Sequence, residues 1–410
     1  KENSKQWAAF GVTVDKAARD VLAHLFVLDT WERSQKHQQV NGNLTRVIRK
    51  DVGSHSLHYR AGKHLPRPAK DRLFETWNVW KQTTTSNGRS SYTLGIVPLK
   101  DYPGPGFKDL SKDGFVEAES TGVYFISEIA PNVCRVTRLQ TVDLKGSTLI
   151  PSTVIDMLAR SQLVEANRLQ EKFRRNGKKV DAEVRGALVE RMKEGIELEE
   201  DQEKVFRDLE ELFGGEKGGG WKHLDSPYEG VKMEIKYQQQ EKGMRSIALG
   251  RAEGKADCTA EEAAAWYFEY CSRERTRNGL DSGESARLEL RDEDQRLNEK
   301  KFATIKKMPF PLNKREFLVR SIWRKDTKNS ISVAIWPLQE DKIDYGSNFG
   351  KLVRATSKII LTATNKESKG EVKQCKIQIK NYFDLGGYVP VKVLVKRMPK
   401  ILQIVYSMTR

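Results

Sequence analysis

The stretch Pro66-Arg-Pro-Ala-Lys-Asp-Arg-Leu-Phe-Glu-Thr-Trp-Asn-Val-Trp-Lys81 aligns without gaps on Pro309-Phe-Pro-Leu-Asn-Lys-Arg-Glu-Phe-Leu-Val-Arg-Ser-Ile-Trp-Arg324. Pro66/Pro309, Pro68/Pro311, Arg72/Arg315, Phe74/Phe317 and Trp80/Trp323 are identical, where chance gives roughly one match in sixteen. The flanks follow in the same order. Ile96-Val-Pro-Leu99 answers Ile335-Trp-Pro-Leu338, Cys134-Arg-Val answers Cys375-Lys-Ile, and Asp143-Leu-Lys-Gly146 answers Asp384-Leu-Gly-Gly387. Upstream, Asp15, Ala18, Ala23, Phe26, Glu32 and Arg33 recur as Asp257, Ala260, Ala265, Phe268, Glu274 and Arg275. A self-similarity of this kind reads as one domain of about 170 residues used twice.

The copies are unequal. Trp221 to Ala256 precede Asp257, whereas only fourteen residues precede Asp15, so the first copy is expected to lack its opening helix and strand. The expected division is residues 1–177, a helical and Gly-rich linker over 178–220, and residues 221–410. In the linker Val184, Leu188 and Met192 sit four apart, and Val205, Leu209, Leu212 and Phe213 make a second helical stripe. Gly214-Gly-Glu-Lys-Gly-Gly-Gly220 reads as a hinge.

Each copy opens with a helix, for which Asp15 and Thr259 are the expected N-caps; Glu262, three residues after Thr259, completes a capping box. Runs rich in aromatic and β-branched residues follow: Ser56–Arg60, Arg72–Lys81, Ser91–Leu99, Phe115–Ile129 and Cys134–Leu144. Polar turns such as Ser86-Asn-Gly88 and Ala130-Pro-Asn132 separate them. A Gly/Pro corner then leads into a last long helix, Ser152 to Arg175 or Val391 to Met408. Helix, antiparallel meander and long helix make an α+β order, since parallel strands need crossover helices between them. A helix laid across a curved sheet encloses either a solid core or an apolar chamber, and periodicity leaves both open.

Composition narrows the function. Lys plus Arg number 72 against 56 Asp plus Glu, a net charge of +16 that favours anionic partners, nucleic acid or a lipid surface. No apolar run approaches the length of a membrane span. The four Cys form no CxxC pair, which sets a reducing, cytoplasmic expectation. Cys134 and Cys375 recur at one strand position and read as buried small hydrophobes. His55, His58 and His64 lack acidic or Cys partners at metal-ligand spacing and read as solvated strand histidines. The chain opens with Lys1-Glu-Asn-Ser rather than Met and so reads as a fragment or processed form. No phosphate loop, GxSxG, HExxH or Gly-rich dinucleotide turn is present. No cofactor and no enzymatic activity are expected.

The residues resemble a known family. Pro311-Leu-Asn-Lys-Arg-Glu-Phe317 is similar to the proline-then-Arg-Asp strand opening of START domains, the steroidogenic-acute-regulatory-related lipid-transfer modules. Leu352-Val-Arg-Ala355 resembles their valine-arginine-alanine strand, and Asp384-Leu-Gly-Gly-Tyr-Val-Pro390 their turn into a lid helix. The resemblance covers Trp221 to Arg410 and, more weakly, Trp7 to Arg175. It implies two helix-grip domains, each a curved antiparallel β-sheet wrapped on a long C-terminal α-helix, holding one lipid or sterol without a chemical step. The first copy departs from the pattern: Leu73 stands for Glu316, Glu117 for Arg354, and its turn has two extra residues and no aromatic.

Phe74, Trp80, Phe317 and Trp323 share one strand face and read as core or as tunnel lining. Arg315 with Glu316 reads as a cavity ion pair or a strand-end surface pair, and Arg354 as a family-motif residue or a structural salt bridge. Tyr388 reads as an aromatic membrane contact or as packing for the lid. Arg320 falls one position early for the family's ligand-facing Arg, which aims it at the other sheet face. The expected protein is peripheral to membranes, with an anionic membrane surface as a partner and a ligand chiefly in the second copy. Nucleic acid, which rests on charge alone, is not expected. The rival is a non-transferring protein- or membrane-interaction module with collapsed cavities.

Overall fold

The computed structural model describes residues 5–50, 53–67, 69–84, 89–107, 110–145, 152–214, 220–226, 229–239, 246–290, 296–339, 343–366 and 373–387, with 389, 393, 398–399, 402 and 404–408 beyond them. The Ser86–Gly88 turn, most of the Gly214–Gly220 hinge and Tyr388 therefore lie outside the described residues. The chain divides into two compact units, Lys1–Val184 and Arg185–Arg410.

In the first unit the order is β1 (Lys5–Val14), α1 (Ala18–Phe26), α2 (Trp31–Asn41), β2 (Arg46–Arg49), β3 (Ser56–Lys63), β4 (Arg72–Thr84), β5 (Ser90–Pro98), β6 (Val116–Ala130), β7 (Val133–Asp143) and α3 (Ser152–Lys172). Its sheet runs β1-β7-β6-β5-β4-β3-β2, antiparallel between neighbours, with a short parallel pairing of Arg72 on Val116. Helix α4 (Gly177–Glu194) spans the unit boundary.

The second unit contains α5 (Glu200–Gly214), β8 (Lys222–Leu224), β9 (Lys232–Gln239), β10 (Ser246–Ala256), α6 (Ala260–Phe268), α7 (Arg273–Asp281), β11 (Glu284–Leu290), β12 (Glu299–Lys306), β13 (Lys314–Thr327), β14 (Ser330–Pro337), β15 (Leu352–Asn365) and β16 (Cys375–Asp384). A last helical stretch, Ile404–Ser407, is preceded by helical Met398, Pro399 and Leu402. The sheet runs β11-β12-β13-β14-β15-β16-β10-β9-β8. From β11 to β10 this is the order of the first sheet, β2 to β1, including a parallel pairing of Arg315 on Val353. Both units are mixed α+β with an antiparallel sheet.

Period-two alternation sorts the faces. In β16, Cys375, Ile377, Ile379, Asn381 and Phe383 are buried while their neighbours are not. With Phe317, Val319, Trp323, Ile335, Ile359 and Leu361 these apolar residues form the inner core, closed by α6 and by Met398, Leu402 and Val405. The inner positions of β10 are all small: Ala248, Gly250, Ala252, Gly254 and Ala256. That lets the closing helix approach the strand closely. A Cβ on Gly254 would lie 2.7 Å from Val405 Cγ1.

Three expectations need correction. Residues 200–214 are no linker: Val205, Phe206, Leu209 and Phe213 of α5 pack on Leu249, Ile322 and Ala334, the outer face of the second sheet. An amphipathic stripe of that width must be buried somewhere, and the nearest apolar surface takes it. Asp15 does not cap α1, whose N-cap Ala17 makes no side-chain bond; its carboxylate instead accepts from the Arg175 backbone N–H at 3.1 Å. Thr259 and Glu262 do form the capping box. His58 is buried rather than solvated, edge-on to Tyr102 with ring centroids 4.5 Å apart.

Candidate functional site

A transverse row crosses the inner face of the second sheet. Lys300 pairs with Ser321, Ser321 with Ile335, Ile335 with Ile359, Ile359 with Asn381 and Asn381 with Gly250. Directly opposed residues of antiparallel strands point to the same side, so these six share one level of the inner face, with Met398 and Leu402 of the closing helix over its Gly250 end. Asn381 is fully buried, and neither its Oδ1 nor its Nδ2 has a hydrogen-bond partner among the described residues. Its Oδ1 lies over Gly250, where an added Cβ would come within 2.6 Å of it and 2.9 Å of Met398 Sδ. Its inner-face neighbours Ile359, Ile379, Phe383, Met398 and Leu402 are apolar. Stranding a buried polar group costs about 1–3 kcal/mol. Ser321 Oγ and Trp323 Nε1, also fully buried, are likewise unpartnered among the described residues. At the row's end Lys300 Nζ meets Glu269 at 2.5 Å. Burial alone would lower the Lys300 pKa, but Glu269 and Glu289 outweigh it and raise it.

The first unit carries the same row as Ala8, Gln140, Gly122, Ile96, Asn78 and Leu57. Here the amide is used. Gln140 Nε2 donates to Ser120 Oγ at 2.6 Å, and its Oε1 accepts from Arg138, which also holds Glu165 of α3 at 2.5 Å. Arg138 further lies 4.9 Å from the Tyr124 ring centroid. Ile379 occupies the corresponding place in the second unit, beside Asn381. At this level the first interior is cross-linked, whereas in the second Asn381 and Ser321 are unpartnered among the described residues and Lys300 is held by Glu269.

The seven described candidate residues separate by face, Tyr388 lying outside the described residues. Phe317 and Trp323 lie in the inner core, and Phe317 meets Phe383 edge-on at 6.0 Å. Phe74 joins Leu65, Ala118 and Leu144, while Trp80 packs edge-on to Phe26 and Tyr92. Arg315 and Glu316 make no pair, because adjacent strand residues point to opposite faces. Arg315 is buried and donates to the carbonyls of Asn313, Leu385 and Gly386, clamping the turn after β16. Burial lowers its pKa from the ordinary guanidinium value. Arg72 does the same for Leu144 and Lys145. Gly386, at φ 66°, is required in this turn: a Cβ would collide with the Arg354 carbonyl. Glu316 turns outward, accepting from Arg354 Nε at 2.8 Å and Tyr345 OH at 2.7 Å. Burial first, then Glu316, pushes the Tyr345 phenol up. Arg320 also faces outward and meets Asp201 of α5 at 2.8 Å.

Two features escaped the sequence reading. Asn381 stands at a core position of an alternating strand, a signal the pattern did contain. Phe310 is 98% exposed in the β12–β13 loop, whose flanking sequence contains Lys306, Lys307 and Lys314; an exposed aromatic beside a basic stretch suits a membrane interface. Among the described residues no cluster of three His, Cys, Asp or Glu could hold a metal, and no helix is long and apolar enough to cross a membrane.

No protein family and no curated protein matches the chain. Among solved structures it is similar to the human StarD13 (DLC2) lipid transfer and protein localization domain, at 13% identity and TM-score 0.35, over 52% of this chain and 97% of that one. Human StAR-related lipid transfer protein 5 gives 16% identity and TM-score 0.37, over 51% and 95%. The di-domain ARO/CYC BexL from the BE-7585A biosynthetic pathway gives 8% and 0.21, over 99% of both chains. At scores this low the likenesses carry no weight in the functional reading, which rests on the interior of the second unit.

Proposed function

We propose that the chain is a tandem pair of START-like helix-grip units whose second unit binds one lipid or sterol between its sheet and closing helix, with no chemical step. The observation that carries this reading is the fully buried Asn381 amide, unpartnered among the described residues and beside the apolar Ile359, Ile379, Phe383, Met398 and Leu402. Each CH₂ moved from water into such an interior gains about 0.8 kcal/mol, so a hydrocarbon chain readily offsets the cost of ordering it. Exchange requires the helix to lift at the turn that Arg315 clamps. The exposed Phe310, with the net charge of +16, favours contact with an anionic membrane during that step. The first unit, whose interior is occupied by the Arg138–Glu165–Gln140 network, is proposed as a structural or regulatory partner rather than a carrier. Native mass spectrometry of the purified chain tests the reading: one bound lipid or sterol mass per chain is expected. Protein that carries none, and takes up neither a fluorescent sterol nor a fluorescent phospholipid from vesicles, refutes it.

A further inference from the structure

We infer that Cys258 and Cys375 are a peroxide-sensitive thiol pair, which closes reversibly into a disulfide that staples the entry of α6 to the start of β16. The inference is independent of the lipid-binding reading. Ala256, the last residue of β10, stands directly opposite Cys375, and Cys258 follows two positions on, in the bend before α6. Both are free thiols, with their sulfurs 4.0 Å apart. The chain on either side of Cys258 is tied to the same strand ends. Asp257 Oδ1 accepts from Gln374 Nε2 at 2.8 Å, and the Ala260 backbone N–H donates to Asn365 Oδ1 at 2.7 Å. Asn365 is itself directly opposite Cys375, on β15. A disulfide sets its sulfurs about 2.05 Å apart, and moving a Cys sulfur by ~2 Å takes no more than a change of χ1. Cys258 lies in a bend and Cys375 opens its strand, so neither is locked within an element.

The two thiols are unlike, as the chemistry requires. Cys258 is partly exposed whereas Cys375 is fully buried, so peroxide meets Cys258 first. The contact with Cys375 holds the Cys258 thiol below its ordinary value, and the same contact, then burial, pushes Cys375 up. The Cys258 thiolate attacks a peroxide oxygen, the O–O bond breaks, and the products are Cys258 sulfenic acid and water. Cys375 sulfur then attacks Cys258 sulfur, the S–O bond breaks, and the departing hydroxide leaves as water with the Cys375 proton. Two thiols and one peroxide thus give one disulfide and two waters. Burial pushes Cys134 and Cys271 up to about 12, which keeps both as thiols. The first unit lacks the device, since Lys16 stands where the second has Cys258.

The test treats the reduced full chain with hydrogen peroxide at neutral pH, blocks the remaining thiols in denaturant and sequences the unreduced peptides by tandem mass spectrometry. Fragmentation tells Cys258 from Cys271, which share a tryptic peptide. A Cys258–Cys375 bridge within one chain, undone by dithiothreitol, is expected. The bridge closes a loop of about 120 residues and should raise the unfolding temperature by roughly 5–15 °C. Cys375→Ala, which removes the resolving sulfur, is expected to leave Cys258 as a sulfenic acid that dimedone traps; Cys258→Ser is expected to leave Cys375 a thiol. Survival of all four thiols in peroxide refutes the inference. So does a bridge between any other pair or between two chains, or the accumulation of dimedone-trapped Cys258 in the wild type. A bridge that forms but leaves the unfolding temperature unchanged or lower overturns the staple. These refuting readouts all come from the wild-type chain, so none depends on a variant folding.

Discussion

Gly254→Ala should loosen the closing helix. The new Cβ would lie 2.7 Å from Val405 Cγ1 and 3.5 Å from Val231 Cγ2. Carbon atoms in ordinary contact stand about 4 Å apart, so the helix must retreat by ~1 Å or Val405 must leave its rotamer. Overpacking of this kind costs about 1–3 kcal/mol. Alanine in a strand recovers roughly 0.5–1 kcal/mol of backbone entropy relative to glycine, which leaves a net loss of about 1–2 kcal/mol. For a unit of this size that lowers Tm by ~2–8 °C. Differential scanning calorimetry of the full chain reads the shift, and stopped-flow uptake of a fluorescent sterol reads the faster exchange expected of a lifted helix. Val405→Ala alone leaves a void beneath the helix. Combined with Gly254→Ala, the added methyl fills part of that void, so the double variant should be more stable than the sum of the singles by about 1 kcal/mol. A neutral Gly254→Ala, with no coupling to Val405→Ala, would refute the claim that the small residues of β10 seat the helix.

Arg315→Met removes the donor to three carbonyls and should destabilise the second unit by about 2–4 kcal/mol; Arg72→Met should do likewise in the first, with urea unfolding as the measurement. Equal stability of Arg315→Met and wild type would dismiss the clamp. Burial, then Arg33 and Lys172, hold His24 well below its ordinary value of 6.5, at about 4. The folded state thus favours the neutral ring, and the stability that goes with it is present above pH 6.5 and lost as pH falls towards 4. The full shift would correspond to ~3 kcal/mol, but the ring is only partly buried and solvent screening reduces this to ~1 kcal/mol. His24→Gln should flatten that part of the first unit's stability profile between pH 7 and 4.5, and an unchanged slope would count against it. Phe310→Ser should weaken sedimentation of the chain with phosphatidylserine vesicles several-fold; unchanged co-sedimentation removes Phe310 from the membrane face.

Several features of this fold were legible residue by residue. The Arg72/Arg315 identity marks the same turn clamp in both units, and the Arg33/Arg275 identity marks another shared device: Arg33 donates to the His24 carbonyl and Arg275 to that of Trp266 at 2.7 Å. Strand alternation placed Phe317 and Trp323 inward and Arg320 outward. The same rule separates Arg315 from Glu316, so their pairing was never available. Other features were out of reach. Nothing local to Glu316 announces Arg354, 38 residues on, because the parallel pairing of β13 with β15 brings them together. Nothing local to Asp15 announces that the Arg175 backbone, 160 residues on, will claim its carboxylate.

What the sequence determined by itself is therefore the α+β order of the elements, the Thr259 cap and the face on which strand residues such as Phe317, Trp323 and Arg320 fall. All of these depend on backbone geometry and on neighbours within a few positions. Only the tertiary structure decided that α5 packs on the second sheet, that Gln140 is engaged and that Asn381 is buried with no partner among the described residues. A hydrogen bond made or missed inside a core depends on which distant side chains arrive beside it, and that is settled by the packing of the whole unit.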